Sequence, residues 1–297
     1  MNLKQPLTYD QQIEKLRQHN IIVNDSEAVK RLLKEISYYR LSGYALQYRI
    51  SENNSDCVDG TTIEKILELY SFDCELRQLL REYVEIAEIY IRSQIAYNFS
   101  INHCINPPHD QHYDESLYGK AAWFQSVLEN FSRQKSYYKD SAIMKHHVSH
   151  YGGKLPLWAI TEMISLSDLS KLYSSMRDED QNKIAIVFHT GRSILRNNLH
   201  CLSILRNKCA HAARLYNTVN NPPVKFDNTT LRTFPELKGN TLFAFIVVLM
   251  QLLPNKIQKD NMRKELLDLF ARHKSVIDPR LIGLCSDYET ILASASR

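Results

Sequence analysis

An arginine, an asparagine and a histidine share one short stretch, Leu205-Arg206-Asn207-Lys208-Cys209-Ala210-His211. A guanidinium grips an anionic oxygen with a rigid fork, and an imidazole moves a proton near neutral pH. An amide beside them orients either the imidazole or the anion. The chemistry that joins these abilities is work on a phosphate: one group neutralises its charge while another transfers a proton.

The spacing predicts that this trio rides on a helix over residues 193–217. Steps of three and four link Arg196, His200, Ser203, Asn207, His211 and Arg214 into one polar stripe. Leu195, Leu199, Leu202, Leu205 and Cys209 fill the neighbouring sector, continued by Ala213 and Tyr216. Arg206 projects into that apolar sector, where a guanidinium requires an anion or several acceptors. Two readings follow. Arg206 forms a salt bridge to a carboxylate such as Glu85, Glu88 or Glu162, or it lines a cleft and holds a scissile phosphate.

The elements that must position this stretch are helical. Apolar residues recur at helical spacing from Ile63 to Phe99, nearly forty residues, after a cap at Thr61 or Thr62. Glu85, Glu88 and Arg92 share one side of that helix. Before it, Thr8 with Gln11 fits a capping box, and Asn24 or Asp25 caps a second short helix. Tyr38-Tyr39-Arg40-Leu41-Ser42-Gly43-Tyr44 reads either as a packed helix junction or as rings and a cation that stack on bases. Residues 51–60 read as a loop. Gly152-Gly153 marks a hinge before a helix entered at Pro156 and Trp158. A helix from Asp178 to His189 ends near Gly191, after which the motif helix begins. Asn220-Asn221-Pro222-Pro223 breaks the pattern, with a short hairpin near Val224 to Phe226. Helices over 241–253 and 256–273, and a tail from Pro279, close the chain. The fold class is therefore all-α, organised as an N-terminal helical region (1–60), a central core (61–220) and a C-terminal helical extension (221–297).

Composition narrows the class of function. The chain has 297 residues, a net charge of +4 and 17 tyrosines. A mildly basic balance permits a nucleic-acid partner without requiring one. Six cysteines lack a C-x-x-C pair, which argues against a zinc knuckle. His103, His109 and His112 cluster in one loop, and His146 and His150 stand four apart. No neighbouring carboxylate or cysteine completes a ligand pattern, so no metal is assigned. The first residues lack an apolar signal core, and the longest apolar run, Leu242 to Met250, is too short to span a bilayer. These features point to a cytoplasmic protein with free thiols.

Five blocks occur together in order: Pro6-Leu7-Thr8-Tyr9-Asp10-Gln11-Gln12-Ile13, Tyr38 to Tyr44, Phe72-Asp73-x-x-Leu76-Arg77, Leu155-Pro156-Leu157-Trp158-x-x-x-Glu162, and Leu205 to His211. In this the chain resembles the Abi (abortive infection) family of bacterial HEPN proteins, and Arg206 to His211 resembles their R-x4-H ribonuclease signature. The resemblance implies a HEPN-type helical bundle with terminal helical additions, and an antiphage, toxin-like endoribonuclease that uses neither metal nor cofactor. Arg206, Asn207 and His211 would be the catalytic residues. Tyr38, Tyr39, Arg40, His200 and Arg214 would bind RNA, either the substrate or a structured non-coding RNA that regulates the protein. One R-x4-H motif per chain implies a homodimer that completes the site. The chain departs from the family pattern at Ala212, where a second histidine is frequent, and at Tyr216, where a tryptophan is.

Overall fold

In the computed structural model, which describes residue 3 and residues 5–296, regular structure begins at Thr8. Its hydroxyl accepts from the Gln11 N–H, and the Gln11 side chain accepts from the Thr8 N–H at 2.9 Å. This complete capping box opens α1 (Tyr9–Gln18). Asp25 caps α2 (Ser26–Glu35) by accepting from the Ala28 N–H at 2.9 Å. The five-residue α3 (Tyr38–Ser42) stops at Gly43. Next comes a two-stranded antiparallel ribbon, β1 (Arg49–Ser51) and β2 (Asn54–Cys57). It corrects the loop expected over residues 51–60. The turn residues there are compatible with both outcomes, and the arms are too short to make the fold other than all-α.

Thr62 then caps α4 (Ile63–His103), a helix of 41 residues and hence about 60 Å long. It is the spine of the fold. Apolar residues on several sides of it are buried, because other helices pack around it. They are α7 (Leu157–Met163), α9 (Asp178–Val187) and α10 (Arg192–Ala210), with α12 (Leu242–Gln251) and α13 (Lys256–Arg272) from the C-terminal part. Two helices that the periodicity reading does not include, α5 (Ala121–Tyr137) and α6 (Ala142–Tyr151), precede α7. α8 (Leu166–Ser175) lies between α5 and α10 and packs on both. α11 (Asn228–Thr233) and α14 (Tyr288–Ala295) complete the described chain.

The apolar run Leu242 to Met250 is buried along its whole length in α12, which packs against α4, α10, α13 and α14. A helix enclosed on every side has no need of a polar face. Among the described residues no helix is long and apolar enough to cross a membrane. The hairpin expected at Val224 to Phe226 is not formed. Instead the Val224 N–H donates to the Gly239 carbonyl at 2.9 Å, joining two irregular segments. A Cβ at Gly239 would stand 2.3 Å from the Val224 carbonyl oxygen, so that close approach requires glycine. Buried residues from Ile13 to Ala295 form one contiguous hydrophobic cluster.

Phe72 on α4 marks where three parts of this cluster meet. Its ring centre lies 6.0 Å from Tyr216, 6.3 Å from Phe270 and 5.5 Å from His273. The side chain is fully buried. Phe72→Ala should therefore lower stability by about 3–5 kcal/mol, measured by urea denaturation. A loss below about 1 kcal/mol would show that α13 and the Tyr216 segment do not depend on this contact.

Candidate functional site

The motif helix ends earlier than its periodicity suggests. α10 stops at Ala210, and His211 is its C-cap with φ −95° and ψ 16°. Ala212 then adopts φ 51°. The Ala213 N–H donates to the Lys208 carbonyl at 2.9 Å, and the Ala212 N–H to the Cys209 carbonyl at 3.4 Å. That pair of bonds is a Schellman closure. The left-handed position favours glycine, and alanine there offers no visible stop in the sequence. The expected helix to Asn217 is thus corrected, and with it the place of Arg214, which leaves the polar stripe.

Arg206, Asn207 and His211 all reach the surface at this helix end. Arg206 lies on the arc of the apolar face, as its spacing requires. At the last turn, however, that face runs out of the core, and the side chain is 44% exposed. This corrects the expectation of a guanidinium buried among apolar neighbours. Its Nε lies 3.7 Å from Glu88 Oε2, and its Nη1 lies 3.5 Å from Asn207 Oδ1. Of the three carboxylates considered, Glu88 is the partner. Glu88 is buried on α4, where Arg92 donates both to it and to the Thr161 carbonyl of α7. The carboxylate is thereby fixed and in turn restrains Arg206, whose guanidinium remains accessible to an anion.

The intervening residues are turned away. Lys208 Nζ donates to Asn220 Oδ1 at 2.6 Å, and burial lowers its pKa. Cys209 is buried, and burial pushes its thiol up to about 12. Such a thiol is protonated at neutral pH and is no nucleophile. The reactive groups that remain are the guanidinium, the amide and the imidazole.

A buried carboxylate holds the segment that follows. Asp73 of α4 accepts from the Tyr216 N–H at 2.8 Å and the Leu215 N–H at 3.1 Å. The Tyr44 hydroxyl donates to it at 2.6 Å, and Arg77, one turn along α4, donates as well. Arg77 also reaches the Ala213 carbonyl at 3.4 Å. Burial opposes the charge on Arg77; Asp73 and Tyr44 outweigh that effect and leave its pKa raised. Burial, then Asp73, raises the pKa of Tyr44. Tyr216, fully buried, donates its hydroxyl to Gln47 and accepts from the Asp278 N–H at 2.8 Å.

The two arginines expected to bind RNA tie this segment to α3 and the turn after it. Arg40 on α3 donates to the Ala212 carbonyl at 2.7 Å, and Arg214 donates to the Gly43 carbonyl. The structure therefore brings Arg40 and Arg214 beside His211, as ties between two backbone turns. Tyr38 and Tyr39 face elsewhere. They line a groove of about 1000 Å³ bounded also by α1 and the ribbon, with Lys15, Lys34 and Arg49 in its lining. Tyr39 is 89% exposed. His200 lies on α10 more than two turns before His211, in a separate groove against α5 and α8.

Of the histidines with ligand-like spacing, His103, His109 and His112 each meet a different acceptor. His103 Nε2 lies 2.9 Å from Asp180, and His109 Nδ1 lies 2.9 Å from the Cys104 carbonyl. His112 is buried, with Nε2 2.9 Å from the Leu155 carbonyl. His146 and His150 stack on each other with ring centres 4.5 Å apart. No group of three metal-ligating side chains occurs among the described residues.

The residues that periodicity alone passes over are Tyr44, Asp73 and Arg77. Their signal is a polar pair, one turn apart, on the buried arc of the longest helix. A family model for Abi-like proteins matches residues 31–217, more than half of the chain and the stretch that contains Tyr44, Asp73, Arg77 and the motif. No curated protein and no solved structure matches the chain.

Two substitutions test this geometry. Asp73→Ala removes the acceptor of two backbone N–H groups and leaves Arg77 buried without its partner. It should cost about 3–5 kcal/mol in urea denaturation; a loss within error would mean the carboxylate anchors nothing. Ala212→Gly relieves a left-handed alanine and should hold or raise stability by up to about 1 kcal/mol. A fall in melting temperature would contradict the Schellman geometry.

Proposed function

The chain belongs to the Abi-like family, and from that premise we propose that it is an abortive-infection protein acting as a metal-independent HEPN endoribonuclease. The observation that carries this reading is the joint exposure of Arg206, Asn207 and His211 at one braced helix end, with Cys209 and Lys208 turned away. In this reading residues 61–220 form the HEPN-like core, and residues 1–60 and 221–297 are additions to it. Cleavage of RNA after phage entry would arrest the infected cell. All six cysteines are free, which suits a reducing cytoplasm.

RNA carries its own nucleophile. The imidazole of His211 takes the proton of a ribose 2′-hydroxyl, whose oxygen attacks the adjacent phosphorus. Arg206 neutralises the charge that gathers on the non-bridging oxygens. Asn207, one turn before His211, orients the imidazole or the phosphate. The bond to the 5′-oxygen breaks and that oxygen gains a proton, leaving a 2′,3′-cyclic phosphate and a 5′-hydroxyl. The base ends the step protonated, and a second group across the cleft is the natural donor to the leaving oxygen. A second copy of the chain supplies one. The surface of α4 supports this: Ile89, Tyr97 and Ile101, spaced by eight and four residues, are exposed along one side of it. Trp158 of α7, with Tyr97 and Ile101, lines one shallow pocket and widens this apolar face.

A bound structured RNA is compatible with this activity. The groove lined by Tyr38, Tyr39, Lys15, Lys34 and Arg49 offers rings and cations together, the combination that holds single-stranded nucleic acid. His211 is not among its lining residues, so an RNA seated there would regulate rather than serve as substrate.

His211→Ala should abolish RNA cleavage with the fold intact by circular dichroism, while Arg206→Ala lowers the rate by about 10²–10³. Products should carry cyclic phosphate ends, and EDTA should leave the rate unchanged. Undiminished cleavage by His211→Ala would remove the catalytic assignment. Light scattering should give twice the chain mass for the active species; a monomer of full activity would remove the composite site.

A further inference from the structure

A second groove opens on the same helix that carries the motif. It encloses about 420 Å³ between α5, α8 and α10. Arg196 and His200 of α10 form one wall, Ser170, Lys171 and Ser174 of α8 the floor, and Trp123 of α5 the far side. No carboxylate is among its lining residues. Asp168 of α8 is buried, is held by Asn130 at 2.7 Å and Ser165 at 2.8 Å, and pairs with Lys171 at 3.8 Å. Trp123 is 45% exposed, and Lys120 Nζ stands 4.0 Å from the centre of its ring.

The chemistry of this groove is that of a nucleotide. An indole at a surface offers a π-face to any base, a contact worth several-fold to over a hundredfold in affinity. Arg196 supplies a fork and Lys171 a point charge for phosphate oxygens. Ser170 and Ser174 line the same space, with hydroxyls suited to a ribose or phosphate. The position along α10 matters as much. From His200 to His211 the helix rises about 16 Å at 1.5 Å per residue. A stacked strand advances about 3.4 Å per nucleotide, so a strand of about five nucleotides joins the two places. Between them on the same stripe lie Ser203, which is buried, and Asn207, which is exposed.

We propose that the groove of Trp123, Lys171, Arg196 and His200 is a nucleotide subsite for the single-stranded RNA that is cut at His211. It receives a nucleotide about five positions from the scissile phosphate and sets the strand along α10. This rests on the ribonuclease reading of Arg206 and His211, and it adds a place where the substrate is held away from the cut. The groove is distinct from the one lined by Tyr38 and Tyr39.

The chain has two tryptophans, Trp123 and Trp158. In a Trp158→Phe variant the remaining emission reports on the groove alone. A single-stranded RNA of ten nucleotides, made uncleavable by 2′-O-methyl groups, should quench that emission with the midpoint found by anisotropy of a labelled copy. Trp123→Ala and Arg196→Ala, both at partly exposed positions, should each weaken anisotropy binding at least about fivefold with unchanged circular dichroism. Parent affinity in both variants, or unchanged emission at saturating RNA, overturns the subsite even while His211→Ala still abolishes cleavage. Quenching by AMP at the same concentration as RNA overturns the strand assignment in favour of a free nucleotide. A protein that binds and quenches as described yet never cleaves RNA supports the subsite and removes the ribonuclease reading instead.

Discussion

Asp73 is a carboxylate inside the protein with four donors arranged around it. Two are backbone N–H groups of Leu215 and Tyr216, one is the Tyr44 hydroxyl, and one is the Arg77 guanidinium. A buried charge is tolerable only when it is both paired and hydrogen-bonded. The four donors come from three parts of the chain. Arg77 belongs to the spine, Tyr44 to the turn after α3, and the two amides to the segment that leaves the motif helix. Satisfying one carboxylate therefore fixes the mutual positions of three segments, and Phe72 beside it adds the packing contact with Tyr216 and α13.

The consequence is felt at the motif. A helix of α10's composition would continue on propensity alone, since Ala212, Ala213 and Arg214 are good helix formers. It stops because the next residues bind elsewhere: Ala213 to Arg77, Leu215 and Tyr216 to Asp73, and Arg214 to Gly43. Ala212 accepts a left-handed conformation as the cost, and Arg40 covers its carbonyl. Ending the helix at His211 places the imidazole on a cap, at the rim of the bundle. Glu88, itself held by Arg92, restrains Arg206 on the same last turns of α10. The exposed side chains of the motif are thus positioned by residues outside it.

The same helix joins the motif to its surroundings. Toward its C-terminal end it presents Arg206, Asn207 and His211; toward its N-terminal end it presents Arg196 and His200 to the groove under Trp123. A rigid rod between two polar sites is a suitable ruler for an extended polymer. The apolar stripe of Ile89, Tyr97 and Ile101 on α4 is a different kind of surface, suited to another protein surface rather than to nucleic acid.

Much of this was legible in the residues alone. Period and caps established the all-α class, the long spine, and the starts of α1, α2 and α4, because a capping side chain is a local device needing only nearby residues. The trio of Arg206, Asn207 and His211 was legible as types at a spacing, and five ordered blocks pointed to the family. The tertiary structure decided the end of α10, the exposure of Arg206, its choice of Glu88, and the departure of Arg214 from the stripe. It also decided the β-ribbon at residues 49–57 and the groove on α5, a helix the periodicity did not include. The physical reason is the same in each case. Helical period assigns a residue to an arc, but how deeply that arc is buried, and where the chain leaves it, depends on partners such as Asp73 that lie 142 residues away in sequence.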